Sequence, residues 1–139
     1  ALCSTCMLHL PMTGYEHQAK DNPMARLFWG IFPIERAMAL FFYEPQSEVS
    51  QLIYDLKYRH QPSIGVALGR IAALQAVPHE FFDGIDALVP VPLTRRRRWQ
   101  RGYNQSELIA QGCRENSWPA SARHRRYCDH RCYHQGLCH

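Results

Sequence analysis

Apolar positions in this chain recur with helical spacing in some stretches and as short unbroken runs in others. Val49, Leu52, Ile53 and Leu56 stand at i, i+3, i+4 and i+7, one face of a helix. Ser47 is placed to cap that helix, and Arg59–Pro62 breaks it. Glu48 falls at its positive end and Lys57 at its negative end, each contributing about 0.3–1 kcal/mol when exposed. A second helix is expected over Ser63–Val77, with Ile64, Leu68, Ile71 and Leu74 inward. Gly65 and Gly69 within it each cost about 1 kcal/mol relative to alanine. Two small residues at that spacing predict a close backbone contact.

Nearer the N-terminus, Asn22-Pro23 reads as a cap and first helical position, with Met24, Leu27 and Phe28 on one face and Gly30 as the stop. Ala37–Tyr43 (AMALFFY) and Ile85–Val91 are strand-sized apolar runs, and Pro78–Gly84 a loop before the second. Asn104–Cys113 reads as a further helix, with Asn104 and Glu107 spaced as a capping box. The order strand, helix, helix, strand, cationic segment, helix predicts an α/β domain with a mainly parallel sheet.

The chain has 139 residues and a net charge of +4, so one domain is expected, with a preference for anionic partners. No apolar run approaches the ~20 residues of a membrane span, and no charged segment leads into an apolar one. A cytoplasmic location is the expectation. In a reducing compartment, paired cysteines point to metal or to idle thiols. Cys3-x-x-Cys6 has the spacing of half a zinc site, with His9 as a conceivable third ligand better read as a surface histidine. Cys128, Cys132 and Cys138 with His124, His130, His134 and His139 match no finger or knuckle spacing and read as adventitious chelators.

The segment Asp86–Ala110, DALVPVPLTRRRRWQRGYNQSELIA, carries the most chemistry. An apolar run ends in prolines, Arg95–Arg98 and Arg101 follow, and a helix starts after Gly102. Guanidinium forks facing helix-start N–H groups make a cradle for phosphate. Arg97, Arg98, Arg101, Gly102, Tyr103, Asn104 and Gln105 are the candidate contacts, while Lys57 and Arg59 read as charge complementing a helix C-terminus. Neighbouring side chains diverge, so one or two arginines suffice. The alternative is a solvated charged loop. Trp99 and Tyr103 beside the arginines also admit base stacking, hence a nucleic-acid reading.

VPVPL followed by arginines and RGYNQSELIA resembles the ComF-like family of phosphoribosyltransferase-related competence proteins. Leu52–Tyr58 (LIYDLKY) and Cys3–Pro11 (CSTCMLHLP) resemble two further segments of that family, in its order. The resemblance implies an incomplete type I phosphoribosyltransferase-like parallel sheet with flanking helices, preceded by half of a small zinc-ribbon-like segment. It implies phosphoribosyl pyrophosphate as ligand, Pro92–Gly102 as its pyrophosphate loop, Lys57 of the LKY segment as a second phosphate contact, and zinc in a full-length parent. It also implies a part in DNA uptake, with DNA-processing proteins as partners; single-stranded DNA is the partner on the nucleic-acid reading of Trp99 and Tyr103.

On this reading residues 1–22 are a partial zinc-ribbon segment and connector, 23–113 the N-terminal part of the transferase-like domain, and 114–139 an atypical tail. From Arg114 onward the only large aliphatic residue is Leu137. That shift predicts a reading frame lost near Arg114–Ser117, or a fragmentary gene. The family's second signature, two adjacent acidic residues before a threonine- and glycine-rich loop, is absent from the sequence. No catalytic residue is assigned and no transferase activity is expected. A single-stranded nucleic-acid-binding module and a non-functional truncated product are the competing readings.

Overall fold

A computed structural model describes residues 10–117. The elements are a 3-10 turn at Tyr15–Gln18, α1 (Pro23–Arg26), α2 (Glu48–Tyr58), α3 (Pro62–Ala76), a 3-10 turn at Val77–His79, α4 (Arg95–Arg101) and α5 (Gln105–Ser117). Ser47 caps α2 by accepting the Ser50 N–H at 3.2 Å. Val49 and Leu56 are buried and Leu52 and Ile53 half-buried, so this helix lies as its spacing requires.

The core forms where α2 and α5 meet α3. Leu56, Ile64 and Leu68 are buried together, flanked by Leu52, Leu108, Ile109 and the ring of Tyr103. The crossing of α3 and α5 is close enough to exclude any side chain. A Cβ on Gly69 would lie 2.0 Å from the Ile109 carbonyl oxygen, and one on Gly112 2.1 Å from that of Val66. Gly65 faces the Leu108 side chain in the same way, its Cβ falling 2.7 Å from Leu108 Cβ. The glycines weaken each helix locally and let two backbones touch. Leu74, expected inward, is 58% exposed, while Ala73 and Ala76 are buried in its place.

The parallel sheet is not found. Among the described residues there is no strand ladder; the bridge positions are isolated, Met12 paired antiparallel with Phe41, and Leu88 in the second run. The physical reason lies in the partners of Ala37–Tyr43. Its backbone bonds to the connector at 11–19: Phe42 N–H donates to Pro11 O, Leu40 O accepts from Thr13 N–H, and Ala37 N–H donates to Ala19 O. Pro11 has no N–H to offer, and the connector turns into a 3-10 helix at Tyr15, so no ladder propagates. Phe42 and Tyr43 end up exposed. The second run, Ile85–Val91, contains Pro90 and leaves Val89 and Val91 exposed.

Polar side chains hold these irregular segments. Buried Asn22 caps α1 through the Ala25 N–H at 2.9 Å, and its amide donates to Gln18 O at 2.9 Å and Ala37 O at 2.8 Å. Leu27, expected on the inner face of α1, is exposed, and Ala25 is buried instead. One guanidinium nitrogen of Arg36 donates to the carbonyls of Glu80, Phe81 and Asp83, tying the turn after α3 to the N-terminal half. Among the described residues no helix is long and apolar enough to cross a membrane.

Candidate nucleic-acid interface

The arginine run is a helix, not a loop. Thr94 caps α4 by accepting the Arg97 N–H at 3.4 Å. Gly102, at φ 76°, closes it in the left-handed conformation, and its N–H donates to Arg98 O at 2.8 Å. Asn104 then starts α5. Its side-chain oxygen accepts the Ser106 N–H at 3.0 Å, and its carbonyl accepts from Glu107 and Leu108. The helix start is therefore occupied by the chain's own cap. The Asn104 amide donates to Val91 O at 3.0 Å and to Glu107 at 3.4 Å, and the residue is 1% exposed. Glu107 does not return to the Asn104 backbone as a capping box would. It receives both terminal nitrogens of Arg98, at 3.2 and 3.3 Å.

Helical geometry sorts the arginines by face. Arg98 faces α5 and is neutralised by Glu107. Arg97, Gln100 and Arg101, at i, i+3 and i+4, turn toward the C-terminal end of α2. With Lys57, Tyr58 and His60 they line a polar cleft of about 500 Å³. Arg95, Arg96 and Trp99 are exposed on the remaining surface, Trp99 at 88%.

The tight turn from α2 to α3 shapes the other wall. His60 takes a left-handed φ of 52°, which brings its Nδ1 to 3.2 Å from the Arg101 carbonyl oxygen. That contact puts the neutral imidazole proton on Nδ1 and leaves Nε2 as the free nitrogen. The Arg101 guanidinium carbon lies 5.4 Å from the centre of the Tyr58 ring, within cation–π range. Tyr58 in turn sits 5.0 Å from the ring of Tyr54, one helical turn earlier, and both rings are exposed. Tyr103 is anchored inward. Its hydroxyl donates to Leu56 O, and burial raises its pKa above the usual phenol value.

Of the residues singled out from sequence, Lys57, Arg97 and Arg101 share the cleft. Arg98 is spent on Glu107, and Gly102, Tyr103 and Asn104 serve helix ends and core. Gln105 lines an apolar groove beside Leu56, Leu68 and Cys113. Tyr54, Tyr58, His60 and Gln100 were not among them. Reading RRRRWQR as a capped helix would have aligned Gln100 with Arg97 and Arg101. His60 and Arg101 are 41 residues apart, and no spacing rule joins them. Cys3, Cys6 and the C-terminal cysteines and histidines lie outside the described residues. Among the described residues no group of three or more His, Cys, Asp or Glu side chains could hold a metal ion.

Charge in the cleft is uncompensated. Within the described residues, ion pairs to carboxylates engage Arg26, Arg59 and Arg98, not Lys57, Arg97 or Arg101. The surface thus presents three cations beside a pair of rings tilted 43° to each other.

Comparison with known proteins finds similarity to the DNA utilization protein YhgH of several enterobacteria. The Escherichia coli (strain K12) protein is 37% identical over 104 residues, which are 73% of this chain and 45% of that protein. The Shigella flexneri protein is 35% identical over the same length, and the Salmonella typhimurium (strain LT2) protein 29% identical over 120 residues. The chain spans about half the length of the relatives it matches. No family model matches, and no solved structure matches. The ComF-like assignment is corrected accordingly: the relatives carry the DNA utilization name, and no family model supports ComF membership. In this fold the RGYNQSE segment that suggested it is a helix-end glycine followed by the next helix's cap. The phosphoribosyltransferase-like sheet falls with it, since the described residues form none.

Proposed function

We propose that this chain binds DNA, single-stranded in particular, through the face formed by α4 and the C-terminal end of α2. The supporting observation is the juxtaposition of three unpaired cations in one cleft with the exposed Tyr54–Tyr58 ring pair. Cations track a phosphate backbone, and exposed rings accept unpaired bases on their faces. Duplex DNA hides its base faces, so the rings favour a single strand. Exposed Trp99 adds a third stacking surface on α4. The DNA utilization name of the relatives accords with this reading.

Fluorescence anisotropy with a short labelled single strand tests it. Three phosphate contacts at about 0.7 counterions each give a log–log salt slope near −2. Replacing Lys57, Arg97 and Arg101 by alanine is expected to remove most of the affinity and flatten the slope. Tyr58→Ala is expected to weaken binding about tenfold. Salt-independent binding, or affinity unchanged in the triple variant, overturns the proposal.

A further inference from the structure

We infer that the cleft seats a phosphate monoester at the end of a strand, in preference to an internal phosphodiester; this rests on the DNA-binding reading above. The first ground is charge. Lys57, Arg97 and Arg101 line one cleft without an ion-paired carboxylate. An internal phosphate offers one negative charge, whereas a terminal one carries about 1.5 to 2 at neutral pH and three acceptor oxygens. Three cations lining one cleft match the second better than the first.

The second ground is the order of groups along the surface. Tyr54, Tyr58 and the Arg101 guanidinium follow one another, rings 5.0 Å apart and the cation 5.4 Å from the second ring. Bases laid on the two rings bring the strand to the cleft, where the aromatic row stops and the cations begin. The third ground is His60. Its Nδ1 is committed to the Arg101 carbonyl at 3.2 Å, so Nε2 is the nitrogen left to meet a ligand. That nitrogen can accept from the P–O–H of a singly protonated monoester, a group an internal diester lacks. The Gln100 side chain completes the lining with a neutral donor.

The shared chemistry, a phosphate monoester, could come from a strand end or from a free mononucleotide, and the experiment separates them. The full chain is titrated with one single-stranded sequence bearing a 5′-phosphate, a 3′-phosphate or hydroxyls at both ends, and separately with thymidine monophosphate. One end-phosphorylated strand is expected to bind about tenfold tighter than the hydroxyl-ended strand, the worth of one added charge-assisted hydrogen bond. Arg97→Ala is expected to erase that advantage and His60→Ala to reduce it, with far-UV circular dichroism unchanged. Trp99→Ala is expected to weaken all three strands alike. Equal affinity for the three strands overturns this inference and leaves DNA binding intact. Tight thymidine monophosphate binding without strand binding overturns the DNA reading and leaves the monoester pocket.

Discussion

Replacing Gly69 by alanine tests the core of the fold in one atom. In an isolated helix the change is favourable, by about 1 kcal/mol. Here the new Cβ would lie 2.0 Å from Ile109 O, 2.8 Å from Ile109 C and 2.9 Å from Cys113 N. All three are backbone atoms of α5, so no rotamer change relieves the clash. The helices must separate by about 1 Å, and contacts at van der Waals distance lose a quarter to a half of their attraction over such a gap. Overpacking of a tight core typically costs about 1–3 kcal/mol, and here the intruding atom meets main chain. Main-chain clash places the cost in the upper part of that range, so a net destabilisation of about 1–2 kcal/mol is expected after the helix-propensity gain, lowering the melting temperature by roughly 3–12 °C. Gly112→Ala, aimed at Val66 O from the opposite helix, is expected to behave likewise. The double variant is expected to cost less than the sum, because one separation accommodates both methyls. Urea unfolding followed by far-UV circular dichroism reads all three. A Gly69→Ala midpoint at or above that of the parent refutes the close crossing of α3 and α5.

Two further variants or probes follow from buried polar groups, alongside the salt titration and end-phosphate comparison above. Asn104→Ala orphans Val91 O and the Ser106 N–H and is expected to cost about 2–3 kcal/mol in urea unfolding. Asn104→Asp keeps the cap but turns an acceptor toward Val91 O and Glu107, so little stability is expected to return. Burial pushes the Cys113 thiol up to about 11, and its sulfur lies 3.2 Å from Gly69 O. Because the folded value is raised, this group's contribution is intact below the ordinary thiol value of 9.0 and is lost as pH climbs toward 11. Peptide mapping after alkylation at neutral pH is expected to find Cys113 unmodified in the native chain and modified in urea.

The helices were legible because their signals are local. Ser47 caps α2, Val49 and Leu56 are buried where a 3.6-residue period puts them, and of the two glycines expected at a close backbone contact Gly69 makes it while Gly65 meets the Leu108 side chain. Strands were not legible, because a short apolar run carries no period of its own. Ala37–Tyr43 reads equally as a strand or as extended chain, and only its partners decide. Here the partner is a proline-containing connector, so the run stays unladdered. The arginine run departs from the loop expectation for a different reason. Five like charges suggest solvated loop, yet arginine is a good helix former, and Thr94 and Gly102 supply both caps. The cleft itself depends on the α2–α3 turn meeting α4, a tertiary fact that no window of sequence contains.

The helical form of the arginine run bears on function. A helix carrying five arginines in seven positions repels itself, each like-charged i,i+3 or i,i+4 pair costing a few tenths of a kcal/mol. Two devices on the structure reduce the repulsion: Glu107 neutralises Arg98, and the Tyr58 ring faces Arg101. Arg95, Arg96 and Arg97 have no carboxylate among the described residues to do the same. A helix built only for stability would place glutamates one turn away, as Arg59 finds Asp55 at 3.4 Å on α2. Local rules are obeyed in capping and broken in charge, and the break is confined to the faces that look at the cleft and at solvent. Such a conflict is the kind a folded chain tolerates where a ligand of opposite charge completes the balance. The repulsion within α4 and the uncompensated positive charge beside Tyr58 are therefore one feature, and an anion laid along that face answers both.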